Sequence, residues 1–433
     1  MSPPQSDQMP SDTAHALPAA ETRRYGLGFW AVAFAFLIVM AFATLPSPLY
    51  GLYRTRDHLS AFMITVIYAI FAVGTIAALL SVRFVAARSG RRGVMLGAVA
   101  TMMAAAGLLA AWKALPGLLV GRLITGVAVG LVAGTAITYL IELRFREDRN
   151  ASPIRARNIG TAVNVGALGI GPLVAGCLAQ WVTSPLTLPY LLFVALGAIA
   201  LIGLASAPET GTPAPPASAE SQASGSSHSV KILVPGAAAT LAAFSANGLF
   251  AGLSGLFLAT TLHHPSHALS GATLFLVFSS GVAAQLATTR LPASRVLVLG
   301  TISMLIGLAL LVTAVRLSTP SLALFLLGGA LIGAGAGAVF KGTTGLVLEA
   351  TAPENRLAMT SDLLIALFVG LSIPVIGAGV ALDRGASAPD TVLGFAILVG
   401  LGVAGAGALL GHGLRSGQRP AGASSIETPR ASI

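Results

Sequence analysis

The chain has 433 residues, of which 55% are hydrophobic and 9% charged, with 50 glycines and a net charge of +10. A water-soluble domain carries roughly a quarter charged residues, so this composition excludes one and points to a polytopic membrane protein. The positive balance is no nucleic-acid signature, since the arginines stand between apolar spans, and the lone Cys177 excludes a disulfide framework and a thiol metal site.

Residues 1–28 are polar and rich in Pro, Ser and Ala, which predicts a disordered cytoplasmic tail rather than a secretory signal. Six apolar runs follow, each long enough to cross a bilayer: 29–49, 62–84, 94–112, 118–143, 159–182 and 187–206. A Pro/Ala/Ser-rich linker, 209–231, separates them from six more: 232–262, 272–289, 296–315, 322–348, 363–382 and 392–412. Residues 413–433 form a second disordered tail. Two six-helix units, 29–208 and 232–412, are thus expected in an all-α membrane protein of 12 transmembrane helices. Placing both termini and the linker in the cytoplasm puts about 18 of the 25 Lys and Arg inside and about 5 outside, which follows the positive-inside rule.

Within the first unit, the run 44–50 breaks the outer end of the first span with Pro46 and Pro48. The fourth span carries Arg122 and then Gly126, Gly130 and Gly134, small residues on one helix face that let a neighbouring backbone approach inside lipid. The fifth span carries Gly171-Pro172 and Ala175-Gly176, where the missing backbone donor predicts a bend. This stretch recurs in the second unit. Gly126 falls on Gly333, Gly130 on Gly337 and Glu142 on Glu349 without a gap, and Pro172 meets Pro374 after a shorter loop. Paired membrane repeats, interrupted at matching places, characterise two-halved secondary transporters.

On these residues the chain resembles the major facilitator superfamily. Arg122-x-x-x-Gly126-x-x-x-Gly130 is similar to that family's fourth-helix motif, and Gly171-Pro172-x-x-Ala175-Gly176 to a fifth-helix motif most typical of proton-coupled efflux members. The loop after the second span also resembles the family signature through Arg88, Gly90, Arg91 and Arg92. It departs from it in having Arg83 for the usual glycine and Ala87 for the usual aspartate, which leaves the family's outward-open latch without its acid. The matching loop of the second unit keeps only Arg290 and Arg295. The resemblance implies two pseudo-symmetric six-helix bundles, alternating access, and a cavity lined by spans one, four, seven and ten.

Intramembrane ionisable groups are functional candidates by default. Arg122 lies about two turns from the outer end of its helix. It is expected to face the interior, where the resemblance gives it a role in proton coupling or anion binding; the alternative is snorkelling to the interface. Lys341, at the place corresponding to Gly134, is expected either to contact substrate or to reach the cytoplasmic interface. Asn164, Asn247 and Gln285 are further candidates for substrate contact, with helix–helix hydrogen bonding as the alternative. Tyr68 and Gln180 are the other polar groups within spans. None of the fifteen acids falls near a bilayer midplane, and Glu142, Glu349 and Asp362 are expected to pair with Arg146, Arg149 or Arg356 at helix ends. Prolines 235 and 374 predict kinks. His263, His264 and His267 sit in an outer loop whose proline argues against a metal site.

No P-loop, HExxH or suitably flanked GxSxG appears, so no enzyme chemistry and no cofactor are expected. The expectation is a monomeric carrier in the lipid bilayer, in a bacterial inner membrane, exporting drugs or small amphipathic metabolites in exchange for protons. Two alternatives stand beside it. The missing mid-membrane acid favours a uniporter or symporter of a neutral solute such as a sugar, and Ala87 motivates a transporter-like sensor or scaffold.

Overall fold

The computed structural model describes residues 19–148, 152–210, 227–352 and 355–417. Helices account for nearly all of them: α1 (Ala19–Thr44), α2 (Tyr50–Asp57), α3 (Ala61–Ala111), α4 (Leu115–Glu147), α5 (Pro153–Trp181), α6 (Leu188–Ser206), α7 (Ser227–Thr260), α8 (His267–Ala287), α9 (Ala293–Arg316), α10 (Leu322–Glu349), α11 (Arg356–Asp383) and α12 (Ala388–Gly417). They supply 12 spans long and apolar enough to cross a membrane. The first runs from α1 through a 3-10 turn at Ser47–Leu49 into α2, and α3 supplies two, Ala61–Val82 and Phe84–Ala111. Large apolar side chains such as Trp30, Leu80, Ile202 and Leu401 are exposed on the outside of the molecule, as a lipid-facing surface requires.

Several helices extend beyond the apolar runs, three of them into the expected tails and linker. Helix α1 begins at Ala19, inside the stretch read as tail, because Ala, Glu and Arg are good helix formers that a hydropathy reading passes over. Likewise α7 begins at Ser227, inside the linker, and α12 runs to Gly417. Residues 1–18, 211–226 and 418–433 of the expected tails and linker lie outside the described residues. The expected loop between the second and third spans is a bend at one residue. Helix continues through Arg88 on one side and Arg91 on the other, and Gly90 takes the turn at φ 67°, ψ 173°. That conformation strains any residue with a Cβ.

Glycine sets the packing inside each bundle. A Cβ on Gly126 or Gly130 would run into the Phe71 or Thr75 carbonyl of α3, so α4 lies directly on the first arm of α3. In the second unit, Gly333 and Gly337 meet the Val277 and Gly281 carbonyls of α8 in the same way. The span-four and span-ten faces therefore do the same job in both halves, as their sequence repeat requires. Pro172 has a second consequence. Without its N–H the Leu168 carbonyl loses its helical donor, and Thr44 Oγ1 donates to it at 2.6 Å, tying α5 to the end of α1. Pro172, Pro235 and Pro374 all lie within continuous helices.

Between the bundles the close contacts lie toward one face of the molecule, the end holding Pro46 and His267. Gly176 of α5 packs against the His267 carbonyl and Gly271 of α8 against that of Pro172. Gly379 of α11 meets Thr65 of α3, and the Phe71 and Phe368 rings stand 6.0 Å apart. Gln180 adds a polar clasp: its Oε1 accepts from Ser266 Oγ at 3.2 Å and from the His267 backbone N–H at 3.0 Å, at the start of α8. The other face carries the arginine-rich turns and is called the basic face below.

Candidate functional site

Two polar regions sit in the membrane-spanning part of the fold, and they differ in what surrounds them. Arg122 occupies the first. It projects from α4 toward the His267 end and is 1% exposed, so it faces the interior and does not snorkel. The break after Thr44 explains how it is held. Because α1 stops there, the Ala43 carbonyl has no helical donor, and Arg122 Nη1 donates to it at 2.6 Å. Nη2 donates to the Tyr68 carbonyl at 3.3 Å, and the guanidinium lies 4.8 Å from the Phe71 ring centroid. Carbonyl dipoles and aromatic faces are thus its partners; no carboxylate pairs with it among the described residues. Its Nε, Tyr68 Oη, Tyr50 Oη and Ser47 Oγ are all buried without a hydrogen-bond partner.

The second region is a cavity of about 270 Å³ on the basic-face half, between α5 of one bundle and α8 and α10 of the other. Here the structure brings together Lys341 and Gln285, two of the expected pathway residues, with Arg157, Asn158, Thr161 and Thr344. Lys341 Nζ donates to the Gln285 carbonyl and to Thr288 Oγ1, both at the end of α8 where the helix dipole favours a cation. Lys341 thus bridges α10 to α8 while lining the cavity. Gln285 is 5% exposed, and neither Oε1 nor Nε2 has a partner. Asn164 and Asn247 do not line this cavity; each has a buried Oδ1 without a partner.

The basic-face turn is a third constellation, conformational rather than intramembrane. Glu209, just past α6, lies against Gly90, and its two oxygens accept the Arg91 and Arg92 backbone N–H groups at 3.0 Å each. A carboxylate there caps the second arm of α3 and complements its dipole. The Arg91 guanidinium pairs with Glu142 at 2.6 Å, and Thr210 donates to the same carboxylate at 2.7 Å. Arg92 reaches the Ala205 carbonyl and Tyr139 the Pro208 carbonyl. Arg88 is exposed and forms no ion pair among the described residues.

Two expectations need correction here. Glu142 pairs with Arg91 rather than Arg146, because the bend at Gly90 swings the second arm of α3 over the end of α4; Arg149 lies outside the described residues. The pairing is also not shared by the halves, since Glu349 is exposed and has no ion pair among the described residues. Glu209 was hidden in the expected linker. Its signal was position: an acid one residue after the Pro that closes a span, with three basic residues of another turn left unpaired.

The sequence profile of the Major Facilitator Superfamily matches residues 32–314. A crystal structure of the nucleoside transporter NupG (D323A mutant) is similar in fold, with a TM-score of 0.67 and 12% identity over 89% of this chain and 99% of that one. No curated protein matches the sequence.

Proposed function

Because the chain belongs to the Major Facilitator Superfamily, and so is an integral multi-pass membrane protein of the transporter class rather than an enzyme, we propose that it is a proton-coupled exporter of small amphipathic molecules working by alternating access. The observation that carries this reading is the asymmetry of the bundle interface. Glycine contacts close it near the His267 end, while a cavity with unsatisfied polar groups lies between the bundles on the basic-face half. With the basic face in the cytoplasm, where the positive-inside rule puts it, that cavity fills from inside the cell. Export then requires the α5–α8 contact to part. Pro172 and Gly176 lie in that contact, Gly171 packs on the Ala41 carbonyl of α1, and Arg122 is the buried cation held at the end of α1.

A second reading is supported by the lack of a paired acid at Arg122 and by the fold shared with a protein described as a nucleoside transporter. In it a neutral solute moves inward, by uniport or symport, and the buried amides of Asn247 and Gln285 bind it. Proteoliposomes with a pH-sensitive dye inside separate the two. Proton movement triggered by lipophilic substrates and lost in Arg122→Ala is the expected result. Solute flux without proton movement would overturn export and leave the second reading.

A further inference from the structure

The cavity between α5, α8 and α10 has a charge character that narrows its ligand. Arg157 and Lys341 both line it, and among the described residues no carboxylate does. Arg157 makes no hydrogen bond or ion pair among the described residues, so its planar fork of five donors is available. Lys341 spends two of its three donors on neutral oxygens at the end of α8 and has one left. Gln285 Nε2 and Thr344 Oγ1 add two buried donors without partners. Val282, Leu286, Phe340 and Leu348 form an apolar stretch of the wall, with Asn158 and Thr161 beside it. Two cations line one cavity, Arg157 exposed and Lys341 half-buried, with no acid among the described lining residues, so a ligand that brings negative charge is favoured there.

We propose that this cavity binds an organic carboxylate with an apolar body, its charge between Arg157 and Lys341 and its body against Phe340 and Leu348. Inorganic anions fit the cations but leave the apolar wall unused. A cationic amphiphile, the usual guess for an exporter of lipophilic drugs, meets two like charges. The assignment rests on the reading of this cavity as the substrate's entry site, and it names the substrate class of that site.

The test uses the full chain in nanodiscs of zwitterionic lipid, with equilibrium binding of three matched radiolabelled probes: phenylbutyrate, its amide and phenylbutylamine. The carboxylate is expected to bind about tenfold or more tighter than the other two, as a charge-assisted contact allows. R157Q/K341Q should erase that preference, and R157K/K341R should keep it, which separates lost charge from lost folding. Equal or tighter binding of the amide or amine, no binding of the carboxylate, or a preference unchanged in R157Q/K341Q would each overturn the assignment. Flux of the same probes in proteoliposomes keeps it distinct from the transport reading. A carboxylate that binds but does not move would sink transport and leave the assignment standing. Amine or amide moving in preference would do the reverse.

Discussion

Arg122 is the residue whose physics and location disagree most. A guanidinium at 1% exposure, with two carbonyls and two rings for partners and an unsatisfied Nε, is poorly compensated for leaving water. Replacing such a group with an apolar side chain of similar volume is often neutral or stabilising. Arg122→Met is therefore expected to leave the thermal unfolding midpoint unchanged or higher while lowering transport more than tenfold. A large drop in the midpoint with transport intact would make Arg122 a structural cap for α1. Gly90 gives the opposite kind of prediction. At φ 67° and ψ 173° a Cβ costs roughly 1–3 kcal/mol of backbone strain, and it would also press on the Glu209 carboxylate. Gly90→Ala should lower the midpoint, and Glu209→Gln, which keeps the shape but not the charge, should lower it less. Arg122 and Gly90 were both legible from type and setting alone, one a charge in a span, the other a glycine among arginines. Glu209 was not, because its partners are backbone N–H groups that exist only once the α3 bend has formed.

Helix faces were legible where a rule links spacing to contact. Gly126 and Gly130, four apart, lie on one face, and that face packs on α3 as the spacing predicts. Spacing does not say which glycines matter. Gly97 and Gly107 stand in equally apolar helix, yet a Cβ on either meets nothing within 4 Å. Gly126→Ala and Gly333→Ala, whose Cβ atoms would overlap the Phe71 and Val277 carbonyls, should cut the monodisperse yield on size exclusion at least severalfold. Gly97→Ala should match the parent or exceed it, since alanine favours helix by about 1 kcal/mol over glycine. Equal yields for all three would mean that the helices can separate without cost. The prolines lie inside continuous helices, where the sequence places them. Pro172 removes a donor as predicted, but the side chain of Thr44 supplies a replacement, so the lost bond fastens α5 to α1 and the helix continues.

At the scale of the whole molecule, the repeat that made the two halves visible in the sequence is broken where the mechanism would need it to be. The Glu142 pair has no counterpart at Glu349, and Lys341 stands where the first half has Gly134. Each half thus keeps the packing glycines and gives up the symmetry of its charges. The intended moving part is then the contact between halves, and Gln180 with Ser266 offers a handle on it, since the two side chains meet at 3.2 Å across the α5–α8 seam. In a C177S background, needed because Cys177 lies one turn before Gln180, Q180C/S266C joined through two disulfides by a short bis-methanethiosulfonate should hold that seam shut. Transport should fall to background and return when reductant cleaves the link. Ligand binding from the basic face should persist throughout, since the Arg157 and Lys341 cavity lies on the other half of the interface. Transport that continues in the cross-linked protein would mean the seam does not open during turnover, and that solute leaves by a route other than between α5 and α8.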